Sequence, residues 1–350
     1  MEGRIPRTVG ALLLLLVSIG LCLALIEVAL RLLGHRGEPI SRINNIYLVD
    51  DPILDWRYIP NSEVRSARVV YRYNNAGFRD TNHTLRKPAG LERIVVLGDS
   101  VTEGYEVDWK DVFAQVLKSR LGDQYEVINI AAGGLNTPQE IHLFEHVGSR
   151  YSPDLVILNF VLNDVDFYTR FAAAQRAAEE GDARIATLNL PISPSLKRLL
   201  KSSALIYFVK DRVEGLRESL AGAEQPSDDY YERIWAKEEN RRKVTDGFSK
   251  LAELHRNGHF EVVVMIWPLI TDYRSYRFAS IHTWVAQEAT RVGFPVIDLL
   301  PRFSSVPYRE LRVSAEDSVH PNALGHRLGA EEFLGWYRST DRAERPRAKS

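Results

Sequence analysis

From Arg93 onward the chain alternates short runs of consecutive apolar residues with stretches of helical periodicity, and this alternation restricts its folding more than any other feature. Runs such as Arg93-Ile94-Val95-Val96-Leu97 show no polar-apolar alternation, as expected of strands covered on both faces. Further strands are read at Tyr125 to Ile130, Leu155 to Val161, Val262 to Trp267 and Pro295 to Leu299. Between them, Trp109, Val112, Phe113, Val116, Leu117 and Leu121 recur at helical spacing, with Asp108 as a cap. Thr137-Pro138-Gln139-Glu140 has the form of a capping box opening a helix that runs to about Ser149. Helices are also expected at Phe278 to Val292 and Asn322 to Tyr337. Strand and helix in alternation predict an α/β fold, a three-layer α/β/α sandwich around a central parallel sheet.

The alternation sets the boundaries of the chain. Residues 1–8 are a short tail, 9–33 an apolar segment, 34–68 a stalk or lead-in broken by prolines, 69–340 the α/β domain and 341–350 a polar tail. Within the domain, 167–245 reads as a charged, helical insertion, whose Tyr168, Phe171, Tyr207, Phe208, Tyr230, Tyr231 and Trp235 suit a lid or a peripheral helical pack equally well. The 19 uncharged residues from Thr8 to Ile26 cover roughly 28 Å as a helix, so a single-pass transmembrane anchor is expected. Glu27 and Arg31, four apart, would pair at its far end. Arginines flank the segment on both sides, at 4 and 7 and at 31, 36 and 42, so charge does not choose an orientation. Acidic and basic residues nearly cancel, 46 against 45, which argues against a nucleic-acid partner. The single cysteine, Cys22, permits no internal disulfide and no cysteine metal cluster.

The polar residues with chemical potential fall after successive strands, where a parallel sheet assembles its site. Gly98-Asp99-Ser100 follows the first strand, Gly133-Gly134 the second and Asn163-Asp164 the third, and Asp317-Ser318-Val319-His320-Pro321 precedes the last helix. A hydroxyl, an imidazole, a carboxylate and amide donors are the groups that acyl transfer needs. Asp99 and Asp164 read as carboxylates that bond loop backbone. His326 is a rival base within the last helix. His142 and His146 share one helix face at a spacing that can bind metal, but they lack the His-Glu-x-x-His order, and solvated histidines are preferred. Trp267-Pro268 is read as a pocket wall or as core.

The four blocks, in this order, resemble the SGNH (GDSL-like) hydrolase family. The surrounding text, Asn75-Ala76-Gly77-Phe78-Arg79-Asp80 and His320-Pro321-Asn322-Ala323-Leu324-Gly325-His326, is similar to bacterial members with an N-terminal membrane helix. The resemblance implies Ser100 as nucleophile, His320 as base and Asp317 as its orienting carboxylate. The implied oxyanion hole is the N–H groups of Ser100 and Gly134 with the Asn163 side chain. Two points depart from or blur the pattern: Val161 stands where the family often has glycine, and Gly133 competes with Gly134. The implied protein is a membrane-anchored esterase or O-acyltransferase without cofactor or metal, acting on a small-molecule, glycan or lipid ester outside the cytoplasm. The alternative is a noncatalytic membrane-anchored binding module on the same scaffold.

Overall fold

The computed structural model describes residues 7–33, 45–48, 53–54, 56–66, 68–165 and 228–340, with 184–185, 190–191, 203–206, 208–209 and 212. The chain divides into two compact units, one of residues 1–41 and 175–223, the other of 42–174 and 224–350.

In the larger unit five strands form one parallel sheet. They are β1 (Glu92–Gly98), β2 (Tyr125–Ala131), β3 (Leu155–Val161), β4 (Glu261–Trp267) and β5 (Val296–Asp298), in the spatial order β5-β4-β3-β1-β2. Every residue of β3 is buried, as are the last six of β1 and of β4, which is why these strands read as apolar runs with no alternation; Arg93 and Asn159 are their buried polar exceptions. After β1 the chain moves outward to β2, then crosses back over β1 to β3. The order therefore reverses between β1 and β3, and the carboxyl ends of such a pair open a crevice.

In chain order the helices are α1 (Arg7–Leu32), α2 (Ser100–Glu103), α3 (Phe113–Leu121), α4 (Thr137–His146), α5 (Asp228–Ala236), α6 (Glu238–Gly258), α7 (Ala279–Arg291), α8 (Leu300–Ser304) and α9 (Ala323–Ser339). Helices α3 and α9 pack together, and α6 packs with both α4 and α7, giving the expected layers about the sheet. The capping box at α4 is displaced by one residue. Asn136 is the cap, its side chain accepting from the Gln139 N–H while the Gln139 side chain accepts from the Asn136 N–H. The helix ends at His146, and a 3-10 turn follows at Gly148–Tyr151. Asp108 precedes a 3-10 turn, Trp109–Asp111, and makes no side-chain cap.

Ahead of β1, Trp56, Tyr58, Val64, Tyr71 and Tyr73 belong to the core of this unit. The Tyr58 and Tyr73 hydroxyls both donate to the buried Glu103 carboxylate. Arg79, 1% exposed, donates to the carbonyls of Glu103, Gly104 and Val107, and so closes the turn that follows α2. Trp267 is core: its indole lies against Phe113, Phe303 and His326. Of the proposed lid residues, Tyr231 and Trp235 are buried in α5, while Tyr168, Phe171 and Tyr207 lie outside the described residues.

In the smaller unit, α1 carries the expected Glu27–Arg31 pair at 2.7 Å. The Glu27 carboxylate also accepts from the N–H groups of Ala204 and Leu205 and from the Ser203 hydroxyl. The expected transmembrane span over 9–33 is not supported. Among the described residues no helix is long and apolar enough to cross a membrane. Helical geometry is present over Arg7–Leu32, and Glu27 in its second half ties the helix to Ser203, Ala204 and Leu205.

Candidate active site

Gly98 ends β1 where the backbone must double back at once. A Cβ there would lie 2.1 Å from the Thr102 Oγ1, so only glycine lets the chain turn directly into α2. Asp99 caps that turn, its Oδ1 accepting from the Val101 N–H at 2.8 Å, and Ser100 is the first helical residue. The serine is thereby held at the carboxyl end of β1, partly exposed, on the side of the sheet where the crevice between β1 and β3 opens.

Residues 220 positions further along complete the cluster. The Ser100 Oγ stands 2.8 Å from the His320 Nε2, and the His320 Nδ1 stands 2.8 Å from the Asp317 Oδ2. The other Asp317 oxygen accepts from the N–H groups of Val319 and His320, both at 2.9 Å. Burial pushes the Asp317 carboxyl up, but the bonds from the His320 side chain and from these backbone groups outweigh it and hold the carboxyl below its ordinary range. An ionised carboxylate only accepts, so the Nδ1 carries the proton and the Nε2 presents its lone pair to the serine hydroxyl. The loop is clamped from behind, where Ile270 N–H donates to the Ser318 carbonyl and Arg312 donates to the carbonyls of Ile270 and Ala315.

Gly134 adopts φ +83°, a left-handed conformation that favours glycine, and a Cβ added there would meet open space. The loop after β3 is drawn beside it, because the Thr137 N–H donates to the Asp164 carbonyl at 3.1 Å. Asn163 turns its Nδ2 onto the Asp99 Oδ2 at 2.9 Å, which fixes the orientation of the amide and leaves the second amide hydrogen for another acceptor. Thus all five residues named from sequence, Ser100 at the start of α2 and Gly134, Asn163, Asp317 and His320 on loops, lie at the carboxyl end of the sheet.

Three features of this neighbourhood go beyond the sequence pattern. Asp99 is fully buried and bridges Asn163 and the nucleophile loop; burial pushes its carboxyl up against the bonds from Asn163 and the Val101 N–H. The Tyr105 ring lies on the His320 imidazole, with centroids 4.3 Å apart. Glu140 on α4 and Asp164 are both buried and pushed well above the ordinary carboxylate range, first by burial and then by neighbouring carboxylates. As expected, one Asp164 oxygen serves loop backbone, accepting from the Val161 N–H at 2.8 Å. His326, the rival base, is excluded by geometry. It is fully buried, its Nδ1 accepts from the Phe113 N–H, and burial lowers it to about 3.

The sequence profile of the GDSL-like lipase/acylhydrolase family matches residues 96–328, more than half of the chain and all of the cluster just described. This chain belongs to that family. As a GDSL-like lipase/acylhydrolase it is an ester-bond hydrolase. No curated protein matches it significantly. Among solved structures it is similar to LAE5, an α/β hydrolase from the metagenome of Lake Arreo, Spain, at 14% identity over 71% of this chain and 95% of that one, with a TM-score of 0.42. It is also similar to a lipase/acylhydrolase from Enterococcus faecalis, at 17% identity over 74% and 100% of the two chains, with a TM-score of 0.40. A carbohydrate acetylesterase family member from Sinorhizobium meliloti shares 14% identity over 71% and 98%, with a TM-score of 0.38. At these identities and scores nothing about substrate passes from those proteins to this chain.

Proposed function

We propose that this GDSL-like hydrolase cleaves carboxylic esters through a covalent acyl intermediate on Ser100. The observation that carries the proposal is the continuous relay from the Ser100 Oγ through His320 to Asp317, with both links at 2.8 Å. The Ser100 Oγ attacks the ester carbonyl while the His320 Nε2 takes the hydroxyl proton, and Asp317 stabilises the resulting imidazolium. The carbonyl oxygen becomes an oxyanion held by the N–H groups of Ser100 and Gly134 and by the free amide hydrogen of Asn163. Collapse breaks the C–O bond, and His320 returns its proton to the departing alcohol. Water, deprotonated by His320, then attacks the acyl-serine and releases the acid. A sugar hydroxyl in place of water would give O-acyl transfer by the same steps.

The substrate is a carbohydrate or lipid ester. The protein acts on the extracytoplasmic side of a membrane, held to lipid by the helix Arg7–Leu32. The exposed apolar side chains of that helix, Leu14, Val17, Leu21 and Leu25 among them, support the association. Chemistry and location are tested separately. Fluorophosphonate labels the parent at Ser100 and short-chain aryl esters are turned over, whereas Ser100→Ala is unlabelled and both Ser100→Ala and His320→Ala are inactive. Equal turnover in all three proteins overturns the assignment, and an inactive parent favours a binding module on this scaffold. For location, Glu239→Cys in a Cys22→Ser background reacts with an impermeant maleimide in intact cells. Reaction only after lysis refutes the placement.

A further inference from the structure

On α4, well along the helix from its capping box, His142, Glu145 and His146 form a cluster that plays no part in the ester chemistry. Positions three and four apart fall on one helix face, and here their ligand atoms all lie within 4.8 Å of one another. The two imidazoles face each other with ring centroids 4.1 Å apart. The His146 Nδ1 is 2.9 Å from the His142 carbonyl oxygen. A carbonyl only accepts, so the Nδ1 carries the proton and the Nε2 presents a lone pair, which is how metal-binding histidines are commonly oriented. Glu145 is held from the neighbouring helix α6 by the Lys250 ammonium at 2.9 Å on one oxygen, and a carboxylate has a second.

We propose that His142, Glu145 and His146 bind a divalent first-row transition metal of the zinc class at the surface of α4. From sequence alone the two are solvated histidines, because no glutamate directly follows the first. The structure brings a Glu145 carboxylate oxygen within 4.8 Å of a nitrogen of each ring, in the order His-x-x-Glu-His. Ligand atoms around a tetrahedral zinc stand about 3.4 Å apart, so the cluster must close by roughly 1 Å, a movement open to side chains that are half-exposed or exposed. Two imidazole nitrogens and one carboxylate suit zinc, nickel or copper, whereas magnesium and calcium prefer oxygen donors. Three protein ligands leave a fourth position for water.

The test is calorimetric titration of the full-length protein with zinc chloride, and with magnesium chloride as the control. One equivalent of zinc binds to the parent. His142→Ala, His146→Ala and Glu145→Gln each weaken that event by about tenfold or more, while thermal unfolding without metal and aryl-ester turnover stay at parental values. Magnesium produces no binding heat at this site. The proposal is overturned if the parent binds no zinc, if any of the three variants binds zinc as the parent does, or if magnesium competes for the same equivalent.

Discussion

Among single residues, Asp99 and Asn163 make the sharpest predictions. The amide of Asn163 points its nitrogen inward because Asp99 supplies an acceptor at 2.9 Å. Asn163→Ala removes one oxyanion donor and is expected to lower kcat by about 10² to 10³, with a smaller change in KM. Steady-state kinetics on an aryl ester checks this, and an undiminished kcat would take Asn163 out of the oxyanion hole. Asp99→Asn keeps the size of the side chain but lets the two amides pair in either sense, so kcat falls in the same direction while fluorophosphonate still labels Ser100. A variant with parental kcat would leave Asp99 as a turn cap alone. Ser100, Gly134 and Asn163 were legible because their residue types fall shortly after apolar runs, and Asp317 and His320 because they stand three apart just before the last helix. Asp99 as an orienting group, and Tyr105 against the imidazole, were not, since contacts across the site carry no periodicity along the chain.

At the level of elements, the strands were legible because burial on both faces strongly favours apolar side chains: Leu155–Val161 is buried at all seven positions and only Asn159, whose amide donates to the Thr102 hydroxyl, is polar. The start of α4 was misplaced by one residue. Both Asn136 and Thr137 can cap, and the choice depends on the loop that Thr137 shares with Asp164. The packing of α9 on the sheet rests on a close approach. A Cβ on Gly329 would lie 2.5 Å from the Trp267 indole, which is itself wedged between Phe113 and Phe303 and has no room to yield. Gly329→Ala therefore sets an overpacking cost of roughly 1–3 kcal/mol against a gain in helix propensity of at most about 1 kcal/mol. A lowered Tm is expected, with the residual activity of the folded fraction unchanged. Equal or raised Tm would show that the indole does move.

For the whole molecule, the segment ahead of β1 is fastened by a buried chain of charges: Asp80, His83, Glu126 and Arg93. The His83 Nε2 lies 3.0 Å from Asp80 and its Nδ1 2.6 Å from Glu126, while Arg93 pairs with Glu126 and donates to the carbonyls of Thr84, Leu85 and Tyr151. Burial alone would lower the His83 imidazole, but hydrogen bonds and charge from both carboxylates outweigh it and raise it above the ordinary histidine value. The folded chain thus holds this proton more tightly than the unfolded one. The stabilisation is complete below the ordinary value and is lost as pH rises through the raised one. Tm of the parent should therefore decline across that window more steeply than Tm of His83→Asn, and parallel curves would remove His83 from the account. The separation of 220 positions between Ser100 and His320 has a further consequence during synthesis. At about 5–20 residues per second the ribosome delivers the serine roughly ten to forty seconds before its histidine. Throughout that interval the nascent chain carries a hydroxyl with no base to activate it, so hydrolytic competence begins only after most of the polypeptide has been made.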